Sequence, residues 1–377
     1  MKIVSGGITA PLGFKANGIS CGIKKSGKKD LALIYSVEPA VATGMFTTSQ
    51  IKAAPLKVTQ RHLKNRFASA IIINSGNANC STGKQGINDA IATAKMVAAS
   101  LKIPSRSVLV ASTGIIGKRL PLDKIKATVK PLVKGLSRGG GGNAAKAILT
   151  TDTRPKQIAV KINLGGKTVT VGAMAKGAGM IYPHLATMLA FITTDLSVAK
   201  PVLKKLLKTA VDSSFNCITV DGCTSTNDMV LILANGLAGN GKLNSKELKI
   251  FSQALNLVCL KMAQEIVRDA EGATKFVKIL VGGAPSAAIA RKVGFSIANS
   301  LLFKTALFGQ DENRGRIIAA IGQSRVNIKE EKFRIVFSSF KKKEIAVTVN
   351  LNLGKANAAV YTNDISYKYV RINARYN

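Results

Sequence analysis

Apolar positions along the chain fall into short runs and helical stripes that predict alternating strands and helices. The runs Ala70–Ile73 and Val108–Ala111 each end in a polar, Gly-containing turn, the mark of buried strands. Between them Ile87, Ile91, Ala94, Ala98 and Leu101 recur at helical spacing and predict an amphipathic helix. QIAVKINL and KTVTVGAM flank Gly165-Gly166, a pair that supplies the positive φ of a tight two-residue turn, so a hairpin is expected there. Upstream, SRGGGG (Ser137 to Gly142) reads as a flexible loop before a short helix at Asn143–Ile148. MLAFITTD has the composition of a strand, followed by a helix from about Lys200 to Ser213. A longer helix from about Ser245 to Arg268 carries Leu248, Phe251, Leu255, Val258, Met262 and Ile266 on one side. After Phe276 a fresh set of segments begins (VKILVGGA, KFRIVFSSF, EIAVTVNLNL). The pattern is that of a mixed-sheet α/β protein, with a catalytic region at 1–275 and a C-terminal α/β domain at 276–377.

Composition narrows the classes. At 377 residues and 46% hydrophobic, the chain suits packed domains better than disorder. No apolar run reaches the ~18–20 residues of a membrane span, and MKIVSGG has no signal-peptide core, so a cytoplasmic location is expected. The five cysteines are scattered, with no C-x-x-C pair, which argues against a disulfide framework or a zinc site. Two histidines leave little room for a Ser-His-Asp triad, and neither a phosphate-binding loop nor a dinucleotide fingerprint is present. The net charge of +36 raises a nucleic-acid reading, but the lysines are spread along the chain and aromatic residues make up only 5%. A lysine-rich solvated surface is the plainer account.

Catalysis in a histidine-poor chain must find its base elsewhere. In KGAGMIYPHLATMLAFITTD, Lys176 to Asp195, glycines at 177 and 179 allow close backbone approach and Pro183 fixes a turn before Ala186-Thr187. A threonine after a small residue, opening a strand, is what a self-cleaving enzyme needs. Its hydroxyl attacks the preceding carbonyl, the peptide shifts to an ester, and hydrolysis frees an α-amine on the same residue to serve as base. Read without context, Thr187 is equally a β-branched strand residue.

The segment resembles the ornithine acetyltransferase (glutamate N-acetyltransferase) family. So do GGITAPLGFKANG, KSGKKDLALI, FTTSQIKAAP, NSGNAN, LVASTGIIG, LTTDTRPK, SFNCITVDG, STNDMVLILANG, IVRDAEGATKF, IANSLLFKTALFG and YVRINARY, in order from Gly6 to Tyr376. The resemblance implies a layered αββα catalytic core and cleavage between Ala186 and Thr187, giving an α chain 1–186 and a β chain 187–377 in an (αβ)₂ heterotetramer. It implies that Thr187 takes the acetyl group from N-acetylornithine and passes it to glutamate, without metal or cofactor. Acetyl-CoA is left open as a co-substrate. Thr113 and Gly114 match the family's oxyanion-hole positions, and Thr153, Lys176, Thr187, Glu271 and Asn373 its substrate contacts. Lys176 suits an α-carboxylate, and Glu271 suits the ammonium groups of ornithine.

Three positions depart from the family pattern. Cys223 stands where Asp is usual, Arg314 where Trp is common, and the further hydroxyl expected five positions after Asn373 falls beyond Asn377. Two rival readings stay open here: a self-processing aminopeptidase or amidase of the same broad fold, and a basic nucleic-acid-binding protein that has lost catalysis.

Overall fold

A computed structural model describes residues 1–182 and 188–374. Two compact units divide the chain. The first comprises Met1–Gly177 and Thr224–Met262 with the chain between 188 and 214; the second comprises 178–182, Phe215–Cys223 and the chain from Ala263 to 374.

The first unit is built on a nine-stranded sheet. Its strands are β1 (Lys2–Val4), β2 (Phe14–Ile19), β3 (Leu31–Phe46), β4 (Phe67–Asn77), β5 (Val108–Ile115), β6 (Lys156–Leu164), β7 (Lys167–Lys176), β8 (Leu189–Thr194) and β9 (Met229–Ala234). They lie in the order β1-β6-β7-β8-β9-β3-β4-β5, with β2 paired to β3. The 16-residue β3 joins two halves: Leu31–Tyr35 pairs with β4, the register shifts before Ala40, and Val41–Phe46 pairs with β9.

Strand alternation sorts the side chains of β3, β4 and β5 into two cores. Leu31, Leu33, Ala70, Ile72, Val108 and Val110 face Ala90, Ala94 and Val97 of helix Gly83–Leu101 and Ile125, Val129 and Leu132 of helix Leu122–Lys134. Their neighbours Ala32, Ile34, Ile71, Ile73, Leu109 and Ala111 share the opposite core with Phe191 of β8 and Leu231 and Leu233 of β9. Both halves of the sheet therefore cover one interior, which is the layered α/β arrangement expected from the sequence.

The second unit holds β10 (Phe276–Ala284), β11 (Arg334–Phe337), β12 (Glu344–Asn350) and β13 (Ala356–Asn363), in the order β11-β12-β10-β13. Val277, Ile279 and Val281 of β10 pack with Val347 and Val349 of β12 and with Val293 and Ile297 of helix Ala287–Ala298.

Most predicted elements occur as read. The hairpin forms with Gly165 and Gly166 at φ 56° and 81°, and the two later helices span Lys200–Asp212 and Ser245–Arg268. SRGGGG is a correction. Arg138–Gly140 forms a 3₁₀ turn and the helix starts at Gly141. These glycines serve packing: a Cβ on Gly140 would lie 1.8 Å from the Ala16 carbonyl oxygen of β2. Among the described residues no helix is long and apolar enough to cross a membrane.

Candidate active site

In the first unit the STG turn closes β5. Thr113 is buried, and Gly114 sits at φ 134°, a conformation that L side chains rarely adopt. Its neighbour strand dictates the glycine as well, since a Cβ at 114 would stand 2.3 Å from the Gly76 carbonyl carbon and 2.5 Å from the Asn77 nitrogen. The NSGNAN segment holds this turn in place. Ala78 N–H donates to Ile115 O at 3.0 Å, the Ser112 hydroxyl donates to Asn74 Oδ1 at 2.5 Å, and Asn74 Nδ2 donates to Asn77 O at 2.8 Å. A strand end shaped in this way can aim backbone N–H groups at a developing oxyanion. Gly114→Ala is expected to lower kcat/KM by roughly 10²–10³-fold, the cost typical of a displaced oxyanion donor. Steady-state kinetics beside a thermal melt checks this, and wild-type turnover would count against the turn's role.

Lys176, the last residue of β7, brings a cation to the same place. It is 2% exposed, and its Nζ donates to Thr150 Oγ1 at 2.7 Å and to Thr113 Oγ1 at 3.5 Å. Asp152 Oδ2 lies 3.9 Å from it. The Asp152 side chain is fully buried; its Oδ1 also accepts from Lys156 Nζ at 2.7 Å and from Gly177 N–H at 2.8 Å. Burial by itself raises the Asp152 pKa, but the charges of Lys176 and Lys156 outweigh it and hold the carboxyl down at about 2. Two buried ammonium groups thus share one carboxylate. Thr153, next to it in the loop before β6, is exposed.

Lys24 adds a third cation in the neighbourhood. Burial, reinforced by the charge of Lys176 and opposed by Asp30, lowers its pKa to about 8, and its Cγ would touch a Cβ placed on Gly76 at 3.0 Å.

The remaining predicted residues divide as follows. Glu271 and Asn373 come together in the second unit, where Asn373 Nδ2 donates to Glu271 Oε2 at 2.8 Å. Glu271 is 6% exposed; its N–H donates to Ala178 O at 2.9 Å, and a Cβ on Gly179 would meet its Oε2 at 2.5 Å. Glycine at 179 therefore leaves room for this carboxylate. Asn373 ends helix Tyr367–Asn373 and is exposed. Thr187 lies outside the described residues, as do Ala186 and Pro183. Sequence reasoning passed over Asp152, Asn227 and Asp228, although each stood inside a quoted segment. Their importance comes from partners far along the chain, which spacing does not reveal.

The ArgJ family model matches residues 15–341 and 338–377. The arginine biosynthesis bifunctional protein ArgJ of Symbiobacterium thermophilum is 44% identical over 400 residues, covering 100% of both chains. The glutamate N-acetyltransferase of Methanocaldococcus jannaschii is 44% identical over 409 residues, again covering 100% of both. A solved structure of the ornithine acetyltransferase of Mycobacterium tuberculosis with ornithine is 45% identical over 48% of this chain and 97% of that one, with a TM-score of 0.45.

Proposed function

The chain belongs to the ArgJ family, and on that premise we propose how its residues divide a two-step acetyl transfer. It is a glutamate N-acetyltransferase of arginine biosynthesis acting on small-molecule substrates. Before it turns over, the Thr187 hydroxyl attacks the Ala186 carbonyl, an ester replaces the peptide bond, and water releases the α-amine of Thr187. That amine then takes the proton of the hydroxyl as Oγ attacks the acetyl carbonyl of N-acetylornithine. The tetrahedral oxyanion rests on the Thr113–Gly114 turn, ornithine leaves with the proton, and acetyl-Thr187 remains. The amine of glutamate attacks this ester, giving N-acetylglutamate and restoring the hydroxyl.

Each charged group has a task in this scheme. Lys176 meets the α-carboxylate common to both amino acids, with Thr153 beside the same loop, and Glu271 pairs with the ammonium of ornithine, assisted by Asn373. Amide, ester and amine exchange the acetyl group without an electron carrier or Lewis acid, so the chemistry calls for no cofactor. Acetyl-CoA enters only as an alternative donor to the same hydroxyl. The working form is taken to be an (αβ)₂ heterotetramer in the cytoplasm.

The observation that supports this reading best is the placement of the Thr113–Gly114 turn against a buried lysine. A strained strand end and a cation within reach of one hydroxyl suit an acyl oxyanion and a carboxylate. The test is acetyl transfer from N-acetylornithine to glutamate by purified, cut enzyme. Formation of N-acetylglutamate only when both substrates are present is expected. Acetate release that ignores glutamate would instead identify a hydrolase.

A further inference from the structure

One buried carboxyl in the first unit has no assigned task. Asp228 sits just before β9 and is 1% exposed. Its Oδ1 accepts from the Met188 N–H at 2.8 Å. Its Oδ2 is buried and has no hydrogen-bond partner among the described residues. Burial raises its pKa well above the ordinary carboxylate range, opposed by hydrogen bonds from Met188 and Ser225 and by the charge of Lys176. Buried polar atoms in folded proteins are nearly always paired, so an orphaned oxygen calls for a reason.

Connectivity supplies one. The Met188 nitrogen is bonded to the carbonyl carbon of Thr187. Standard bond lengths therefore keep Asp228 Oδ1 within roughly 7 Å of both the hydroxyl and the nitrogen of that residue. The loop carrying Asp228 also grips the oxyanion turn. Asn227 Nδ2 donates to Ser112 O at 2.8 Å and to Ala78 O at 2.7 Å, directly before Thr113 and directly after Asn77. Thr47 N–H donates to Asp228 O at 3.1 Å, and Met229 N–H to Met188 O at 3.3 Å, which fixes the loop against β3 and β8. One short loop thus ties the strand that Thr187 precedes to the turn that receives the oxyanion.

We propose that Asp228 is the positioning residue for Thr187. Its Oδ1 fixes the amide that follows the nucleophile, and its Oδ2 takes a hydrogen bond from the α-amine that cleavage sets free. The proposal rests on the reading of Thr187 as nucleophile. Lys176 is the charged group that acts on Asp228; its other neighbours, Met188, Ser225, Asn227 and Thr47, are uncharged.

Asp228→Asn keeps an acceptor for the Met188 N–H and turns the second oxygen into a donor. It is expected to fold, to cut itself at least about tenfold more slowly by time-resolved intact mass, and to show an altered pH profile in its cut fraction. The acid limb of kcat/KM, which reports the free amine, should move down by about one pH unit. Asp228→Glu, with its carboxyl displaced by one methylene, should cut slowly yet keep the wild-type limb. A folded Asp228→Asn that stays whole supports the proposal through the first readout. Wild-type cutting with an unshifted limb overturns it, as does slow cutting in a destabilised variant whose cut fraction keeps the wild-type limb. If Asp228→Asn does not fold, Asp228→Glu carries the same readouts, and wild-type cutting by that variant overturns the proposal. A wild-type chain left uncut would bring down the nucleophile reading itself, and this proposal with it.

Discussion

Thr187→Ala is expected to be recovered as one uncut 377-residue chain. Wild type should appear as two pieces whose masses sum to the chain plus one water, the second piece starting at Thr187. The variant lacks the hydroxyl needed for both the ester shift and the acetyl intermediate, so acetyl transfer should fall by at least about a thousandfold. Thr187→Ser restores a hydroxyl and should recover part of the cutting. Intact-mass spectrometry decides the matter without a substrate. A cut Thr187→Ala chain would move the nucleophile elsewhere.

The second large effect is on stability. Asp152→Asn keeps the shape of the side chain but removes the negative charge shared by Lys156 and Lys176, both buried. Breaking a buried ion pair from one side typically costs ~3–5 kcal/mol, because the partner's charge remains in a poorly solvating interior. Equilibrium unfolding in urea should show the midpoint falling by a corresponding amount, together with loss of activity as Lys176 shifts. The same carboxyl predicts an acid limit. Its folded pKa of about 2 lies below the ordinary value, so its stabilisation is complete above about pH 4 and is lost as pH falls toward 2. The variant should lose that part of the pH dependence. An unchanged midpoint would show that the cluster is solvated rather than sealed.

Elements with a strong local signal were legible in the sequence. The Gly-Gly hairpin, the amphipathic helix of Ile87 and Leu101 and the STG strand end are each written in a few adjacent residues, and each occurs. What spacing did not give was whatever depends on a distant partner. SRGGGG reads as flexible until Ala16 is found pressed against it. Asp152 reads as one polar residue of a loop until β7 delivers Lys176. Asn227 and Asp228 read as turn residues, because nothing local says that their partners are Ser112, Ala78 and Met188. Glu271 and Asn373 were expected as substrate contacts; their mutual hydrogen bond spans 102 positions and leaves no trace in local pattern.

The strand order of the large sheet has a further consequence for a chain cut after Ala186. β7 would belong to the first piece and β8 to the second, and they pair over six residues from Val171↔Thr194 to Lys176↔Leu189. β3 and β9 would likewise come from different pieces, paired from Val41↔Ala234 to Phe46↔Met229. Each piece would supply strands that the other needs to bury its apolar face. Folding as one chain closes these pairings within a single molecule, whereas refolding after denaturation would require two molecules to meet. Maturation would thus turn a reversible, concentration-independent transition into a bimolecular one. The cut enzyme would owe its lifetime to slow unfolding, and once unfolded in dilute solution it would not readily return.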